Sequence, residues 1–221
     1  MVDDDVRYPV IVDTDALIAA ANTSLWPRIV ETLQLTTTNV CYHELTRHKR
    51  ETSEHAPDGT REKWLHDGST TALDAFDDET DSFTVVSCVP RPHGEDAGEQ
   101  SLRNEIEQHP ETYRFAILLN KHGRRSLNRV FEQTEGTTGK AVAPTFLLYL
   151  LLDAGECTVE EFCHACRDLS GREVGRLPSD SGGMGGDHGR LCAAPFGGSP
   201  RMRPEIGPHE LPVDLGLYLE F

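Results

Sequence analysis

Apolar and polar positions alternate along this chain in short runs whose period switches between that of a strand and that of a helix. Residues 8–12 form a continuous apolar run of strand length, 16–21 and 27–34 carry helical spacing, and 35–38 reads as a short second strand. A helix is expected over 40–48 and another over 58–76 around Trp64, Leu65 and Leu73. The pattern then predicts a strand at 83–89, a helix at 98–108, a strand at 115–119, a helix at 124–133 and a strand at 140–143. Two helices follow, 145–153 and 158–169. Pro144 stands just ahead of the first, and Thr158 with Glu161 three residues on is a capping box for the second. Strands alternating with helices predict an α/β fold with a mainly parallel central sheet and helices on both faces.

Composition divides the chain. Residues 1–170 hold eight Gly and seven Pro, whereas 171–221 hold eleven and six, a third of that segment. A stretch such as Ser181-Gly-Gly-Met-Gly-Gly-Asp buries too little apolar surface to offset its ordering entropy. The expected organisation is therefore one domain over 1–170 and a Gly/Pro-rich, disordered tail over 171–221, a change abrupt enough to suit a shifted reading frame as well. The longest apolar stretch, 146–152, falls far short of the roughly 20 residues of a membrane helix. No membrane contact is expected. Met1-Val-Asp-Asp-Asp is acidic where an export signal is basic and then apolar, so a cytoplasmic location is the expectation.

Charge narrows the partners. Asp and Glu number 37 against 21 Lys and Arg, a formal net charge of −16, and only four of the cations are Lys. An Arg-over-Lys, acid-rich surface suits a protein of a halophilic archaeon, where salt screens repulsion between carboxylates. A nucleic-acid binder of this charge needs a local basic patch, and Lys121, His122, Arg124, Arg125 and Arg129 form the densest basic run. Lys121, Arg124 and Arg125 are the candidates for holding phosphates; a solvated helical face is the alternative.

Acids stand at strand ends, where ligands of open α/β sheets gather. Asp13 follows the first strand with Asp15 two residues on, Glu44 lies in a predicted helix, Asp96 and Glu99 open another, and Asn120 follows the strand at 115–119. His43 and His48 are five apart, not the four that would put both on one helix face as in zinc proteases. Cys163 and Cys166 on a helix, with His188 and Cys192 in the tail, read as core rather than a zinc site.

Taken in order, Val10-Ile-Val-Asp13-Thr-Asp-Ala-Leu-Ile, Val40-Cys-Tyr-His-Glu44-Leu, Asp96-Ala-Gly-Glu99-Gln-Ser-Leu, Phe115-Ala-Ile-Leu-Leu-Asn120-Lys-His-Gly-Arg-Arg and Ala143-Pro-Thr-Phe resemble the motifs of PIN-domain nucleases. That family includes the VapC-type toxin ribonucleases of toxin–antitoxin pairs, and the resemblance covers roughly residues 7–169. It implies a three-layer fold and a metal-dependent endoribonuclease that hydrolyses RNA phosphodiesters. By the same resemblance Asp13, Glu44 and Glu99 are the catalytic residues and hold Mg²⁺ or Mn²⁺, supplemented by Asp96 or Asp15. RNA is the implied partner, with a small antitoxin protein if the chain is a toxin, and a homodimer is compatible with the family. One departure stands out. Where the family places one or two aspartates after the strand at 115–119, this chain has Asn120 and Lys121. Asn120 brings a carbonyl oxygen to a metal but no charge, so weak one-metal catalysis and a noncatalytic module binding RNA or protein both remain open.

Overall fold

The computed structural model describes residues 9–77, 83–89, 91–94, 96–135 and 139–169. Its elements are β1 (Pro9–Val12), α1 (Thr14–Ala21), α2 (Trp26–Thr32), β2 (Gln34–Thr38), α3 (Asn39–Glu51), α4 (Arg61–Asp77), β3 (Phe83–Val86), α5 (Ala97–Gln108), β4 (Phe115–Ile117), α6 (Lys121–Gln133), β5 (Lys140–Val142), α7 (Thr145–Asp153) and α8 (Val159–Leu169). The five strands form one all-parallel sheet in the order β3-β2-β1-β4-β5. Val10 lies beside Leu35 on one side and Phe115 on the other.

Both faces of the sheet are covered at its centre, which is why β1 and β4 are apolar without interruption. Side chains of successive strand residues point to opposite faces. Val10 and Val12 accordingly pack with Leu17, Ile18, Ile29, Trp64, Leu147 and Phe162 from α1, α2, α4, α7 and α8. Ile11, Ala116, Leu118 and Ala141 face the other way, onto Leu102 and Ile106 of α5 and Leu127, Val130 and Phe131 of α6. The result is the three-layer α/β architecture. Fully burying each such large side chain stabilises the fold by about 1.5–3 kcal/mol. A Leu102→Ala change would cost about 2–5 kcal/mol.

Strand order sets the place of the site. The chain runs β1, β2, β3 towards one edge and then crosses back to lay β4 on the other side of β1. The crevice at the carboxyl ends of β1 and β4 is therefore the topological switch point, where ligands of such sheets bind. α1 leaves β1 there and is gripped by α4. A Cβ placed on Gly68 would stand 2.6 Å from the Ile18 carbonyl oxygen, so only glycine allows this approach.

Several boundaries differ from the sequence pattern, and three of them have a clear local reason. α4 starts at Arg61 rather than 58, because Pro57 to Thr60 turn and the Thr60 hydroxyl caps the Lys63 amide. β3 stops at Val86 rather than 89, and the Cys88 amide donates to the Asn39 side chain (3.1 Å) beyond the strand's end. α6 starts at Lys121 rather than 124 because Asn120 caps it. The Thr158–Glu161 capping box is present, with Glu161 accepting from the Thr158 amide at 2.8 Å and Thr158 from the Glu161 amide at 3.2 Å. Cys163 and Cys166 are fully buried in the core. Among the described residues no helix is long and apolar enough to cross a membrane. The expected tail, with His188 and Cys192, lies outside the described residues.

Candidate metal centre

Asp13 ends β1 and occupies the N-cap position of α1 with extended backbone (φ −75, ψ 160), yet its side chain makes no capping hydrogen bond. Its backbone amide donates to the Ile117 oxygen (3.0 Å), which ties the mouth of β1 to that of β4. Its carboxylate is thus left to face the switch-point crevice. Thr14, the next residue, donates its hydroxyl to Glu44 Oε2 at 2.6 Å and so draws α3 towards α1.

Glu44 is positioned by the start of α3. The Thr38 hydroxyl accepts from the Cys41 amide (3.2 Å), an N-cap that aims the first turn, and Glu44 follows Cys41 by three residues on the same helix face. The Cys41 thiol reaches Asp13 Oδ1 at 3.6 Å. The first turn of α5 closes the group. A Cβ added to Gly98 would stand 3.0 Å from Asp13 Oδ1, 3.0 Å from Glu44 Oε2 and 3.4 Å from the Cys41 sulfur, so both carboxylates converge on a glycine that leaves them room. Ser101 fixes that turn by donating to the Gly98 oxygen (2.6 Å) while its hydroxyl also meets that of Thr38 (2.6 Å).

The electrostatics follow from this enclosure. Burial pushes the Asp13 carboxyl up to about 7, with the charges of Asp15 and then Glu44 adding to it, against the Thr14 amide and the Cys41 thiol. Burial, then the Asp13 charge, pushes the Cys41 thiol up to about 12. The thiol therefore stays protonated and serves as a donor. Two carboxylates held against their own repulsion suit a hard divalent cation, and Mg²⁺ is often held by only one or two carboxylates while keeping several waters. Among the described residues no three His, Cys, Asp or Glu side chains stand close enough to hold a metal ion together.

The other sequence candidates lie around this pair without joining it. Glu99 is half-buried and leans onto the start of α6, where a Cβ on Gly123 would meet its Oε2 at 2.7 Å. Asp96 is exposed at the N-cap position of α5 and makes no capping bond. Asp15 is half-buried in the first turn of α1. Asn120 Oδ1 accepts from the His122 and Gly123 amides at 2.7 and 3.4 Å, so the oxygen expected to face a metal holds the end of α6.

Of the phosphate-binding candidates, Lys121 is half-buried and Arg125 exposed. Arg124 is a correction. It is 3% exposed, and its Nη1 donates to the Leu118 and Leu119 oxygens at 3.0 and 2.7 Å, because the carbonyls leaving β4 need a buried donor. Three residues of the site were not read from the sequence at all: Thr14, Cys41 and Gly98. Cys41 was legible in principle, since it stands three residues before Glu44 on one helix face. So was Gly98, the small residue inside Asp96-Ala-Gly-Glu99.

No curated protein and no solved structure matches the chain. The profile of the family described as Halobacterial PIN domain matches residues 1–175. PIN domains are nuclease-type modules that generally depend on divalent metal ions. The profile covers more than half of the chain, and the chain belongs to the halobacterial PIN-domain family.

Proposed function

We propose that this PIN domain is a metal-dependent endoribonuclease in which Asp13 and Glu44 are the inner carboxylates. Glu99, one residue beyond Gly98, is the third acid, and Lys121 and Arg125 are the cations that hold RNA phosphates. The observation that carries this reading is the convergence of Asp13 Oδ1 and Glu44 Oε2 on Gly98 at the switch point. Asp13 and Glu44 would hold Mg²⁺ or Mn²⁺ there, and the ion would supply a more acidic water and offset charge on the scissile phosphate. The chain's own residues do the rest. Asp13, whose carboxyl burial pushes up to about 7, would hold the cation in its ionised form. Thr14 keeps Glu44 turned inward, and Gly98 leaves the space between the two acids open.

The net charge of −16 and the family's halobacterial description support work in concentrated salt. There phosphate contacts weaken and the metal carries more of the substrate binding. The test is cleavage of a pool of structured RNA in molar KCl, with Mn²⁺ or with EDTA, by the full chain and by Asp13→Asn. Cuts that need Mn²⁺ and vanish in the variant support the reading. If the enzyme is a toxin, a small antitoxin protein added to the reaction abolishes the cuts. The second reading, a noncatalytic module that binds RNA or protein, is favoured by Asn120, whose oxygen is held in a helix cap. Folded protein that cuts nothing in any of these conditions would select it.

A further inference from the structure

Beneath the two carboxylates lies a buried chain of hydroxyl and thiol groups. Thr38 Oγ1 accepts from the Cys41 amide and lies 2.6 Å from Ser101 Oγ, which itself donates to the Gly98 oxygen. Each hydroxyl has one proton, so with the Ser101 proton on Gly98 the short contact requires Thr38 to be the donor to Ser101. Cys41 Sγ is 3.9 Å from Ser101 Oγ and 3.6 Å from Asp13 Oδ1. Thr38, Cys41 and Ser101 are all fully buried. Asp13 is an acceptor alone when ionised, so in the contact at 3.6 Å the thiol is the donor.

We propose that Cys41 is a positioning residue of the metal centre, whose thiol fixes the rotamer of Asp13 by donating a hydrogen bond to Oδ1. This rests on the reading of Asp13 as a metal ligand. Carboxylates that bind metals are themselves hydrogen-bonded, and the partner sets which oxygen is presented. At the N-cap of α1 the Asp13 side chain forgoes the usual bond to the helix amides. Of the two donors that act on its carboxylate, the Thr14 amide belongs to its own helix and the Cys41 thiol to α3, the helix that carries Glu44, so the thiol is the one that ties Asp13 to its partner. The remaining links serve Cys41. Thr38 sets the first turn of α3 through the Cys41 amide, and Ser101 ties that turn to the Gly98 turn of α5.

Two measurements on the full chain in molar KCl decide it. In EDTA, the infrared S–H stretch that disappears in Cys41→Ser should lie at lower frequency than a free thiol and move up in Asp13→Asn. A band unmoved by Asp13→Asn overturns the hydrogen bond, whatever the protein does with metal. By calorimetry, Mn²⁺ should bind Cys41→Ala about 10-fold more weakly than the parent, with Cys41→Ser restoring affinity to within about twofold. Melting scans accompany both, and if Cys41→Ala fails to fold, Cys41→Val fills the volume without a donor and takes its place. Parent-like affinity in the donor-free variant, or Cys41→Ser no better than it, overturns the proposal. A parent protein that binds no Mn²⁺ overturns the metal-centre reading and the positioning role that depends on it, and the S–H band still reports on the hydrogen bond by itself.

Discussion

The mouths of β1 and β4 are neighbours in the sheet and are built alike, each a buried apolar strand followed by a polar residue at the N-cap position of a helix. They are used in opposite ways. After β4, Asn120 caps α6 with its side-chain oxygen, and the Arg124 guanidinium takes up the Leu118 and Leu119 carbonyls. Every polar group named there is turned to holding backbone. After β1, Asp13 leaves the cap unmade and is held near Glu44 by a thiol and by the pull of Thr14 on its partner. The second arrangement forgoes a capping bond worth about 1 kcal/mol and sets like charges side by side. A fold tolerates such a concession at a site of chemistry, where local structural preference and function disagree. Amide and guanidinium at one mouth and carboxylates at the other thus divide structure from function across a single pair of strands.

Removing the carboxylate at the β1 mouth should have the largest effect. Asp13→Asn is expected to lower Mn²⁺-dependent cleavage about a thousandfold, which is about 4 kcal/mol in the barrier. It should also stabilise the fold at alkaline pH. The Asp13 carboxyl titrates near 3.8 when unfolded and near 7 when folded, so the folded protein binds the extra proton between those values. The stability this supplies is complete below about pH 4 and is lost as pH rises through about 7. Urea titrations in EDTA should show the parent losing on the order of 2 kcal/mol between pH 4 and pH 8 relative to Asp13→Asn, a figure set below the full linkage value because the residue as a whole is partly exposed and solvent screens its charge. Equal pH slopes in the two proteins would mean that the β1 mouth carries no strained charge.

At the β4 mouth the prediction reverses: stability suffers and metal binding does not. Arg124→Met keeps much of the side-chain volume but leaves two buried carbonyls without this donor, each worth about 1–3 kcal/mol. A loss of about 3 kcal/mol by chemical denaturation is expected, with Mn²⁺ affinity by calorimetry within about twofold of the parent. An affinity loss of tenfold at unchanged stability would make Arg124 part of the site and end the distinction between the mouths.

That distinction was half legible in the sequence. Continuous apolar runs such as Val10 to Val12 and Phe115 to Ile117 reveal the strands because both sheet faces are buried there, and the polar residues after them, Asp13 and Asn120, mark the right edge of the sheet. Arg124 was misread because a charge in a basic run looks solvated, and only tertiary structure shows that carbonyls at the end of β4 lie in its reach. Asn120 stands four residues ahead of the helix that the pattern starts at 124, so its role as N-cap shows only once α6 is seen to begin at Lys121. Cys41 stands in the motif Val40-Cys-Tyr-His-Glu44-Leu, where the pattern draws the eye to Glu44 alone. In the fold Val40, Cys41 and Leu45 are buried while Tyr42 is only half so, since α3 is packed by both α4 and α5.

Gly98→Ala sharpens the comparison from the α5 side. The new methyl would stand 3.0 Å from both Asp13 Oδ1 and Glu44 Oε2, tighter than carbon and oxygen ordinarily pack. One carboxylate must move aside, and Mn²⁺ binding should weaken about 10-fold, or about 1.4 kcal/mol. Alanine is the better helix former by up to about 1 kcal/mol, so the melting temperature should hold or rise. Opposite signs for affinity and stability identify a glycine kept for the ligand. A variant that loses both together would identify one kept for packing.

The smallest effect belongs to the residue that looked most decisive in the sequence. Asn120→Ala removes the acceptor of the His122 and Gly123 amides and should cost about 1 kcal/mol of stability, with Mn²⁺ affinity within about twofold of the parent. Asn120→Asp keeps a good cap and adds a negative charge at a helix N-terminus, where charge is favourable, so its stability should equal or slightly exceed the parent's. Calorimetry on the pair separates cap from ligand. If Asn120→Asp tightens Mn²⁺ tenfold while Asn120→Ala keeps its stability, then the oxygen is free to turn towards the crevice and the β4 mouth is a site that has lost one charge. If Asn120→Ala loses its 1 kcal/mol and neither variant changes the affinity, the amide is there for the helix, and the carboxylates at β1 act without it.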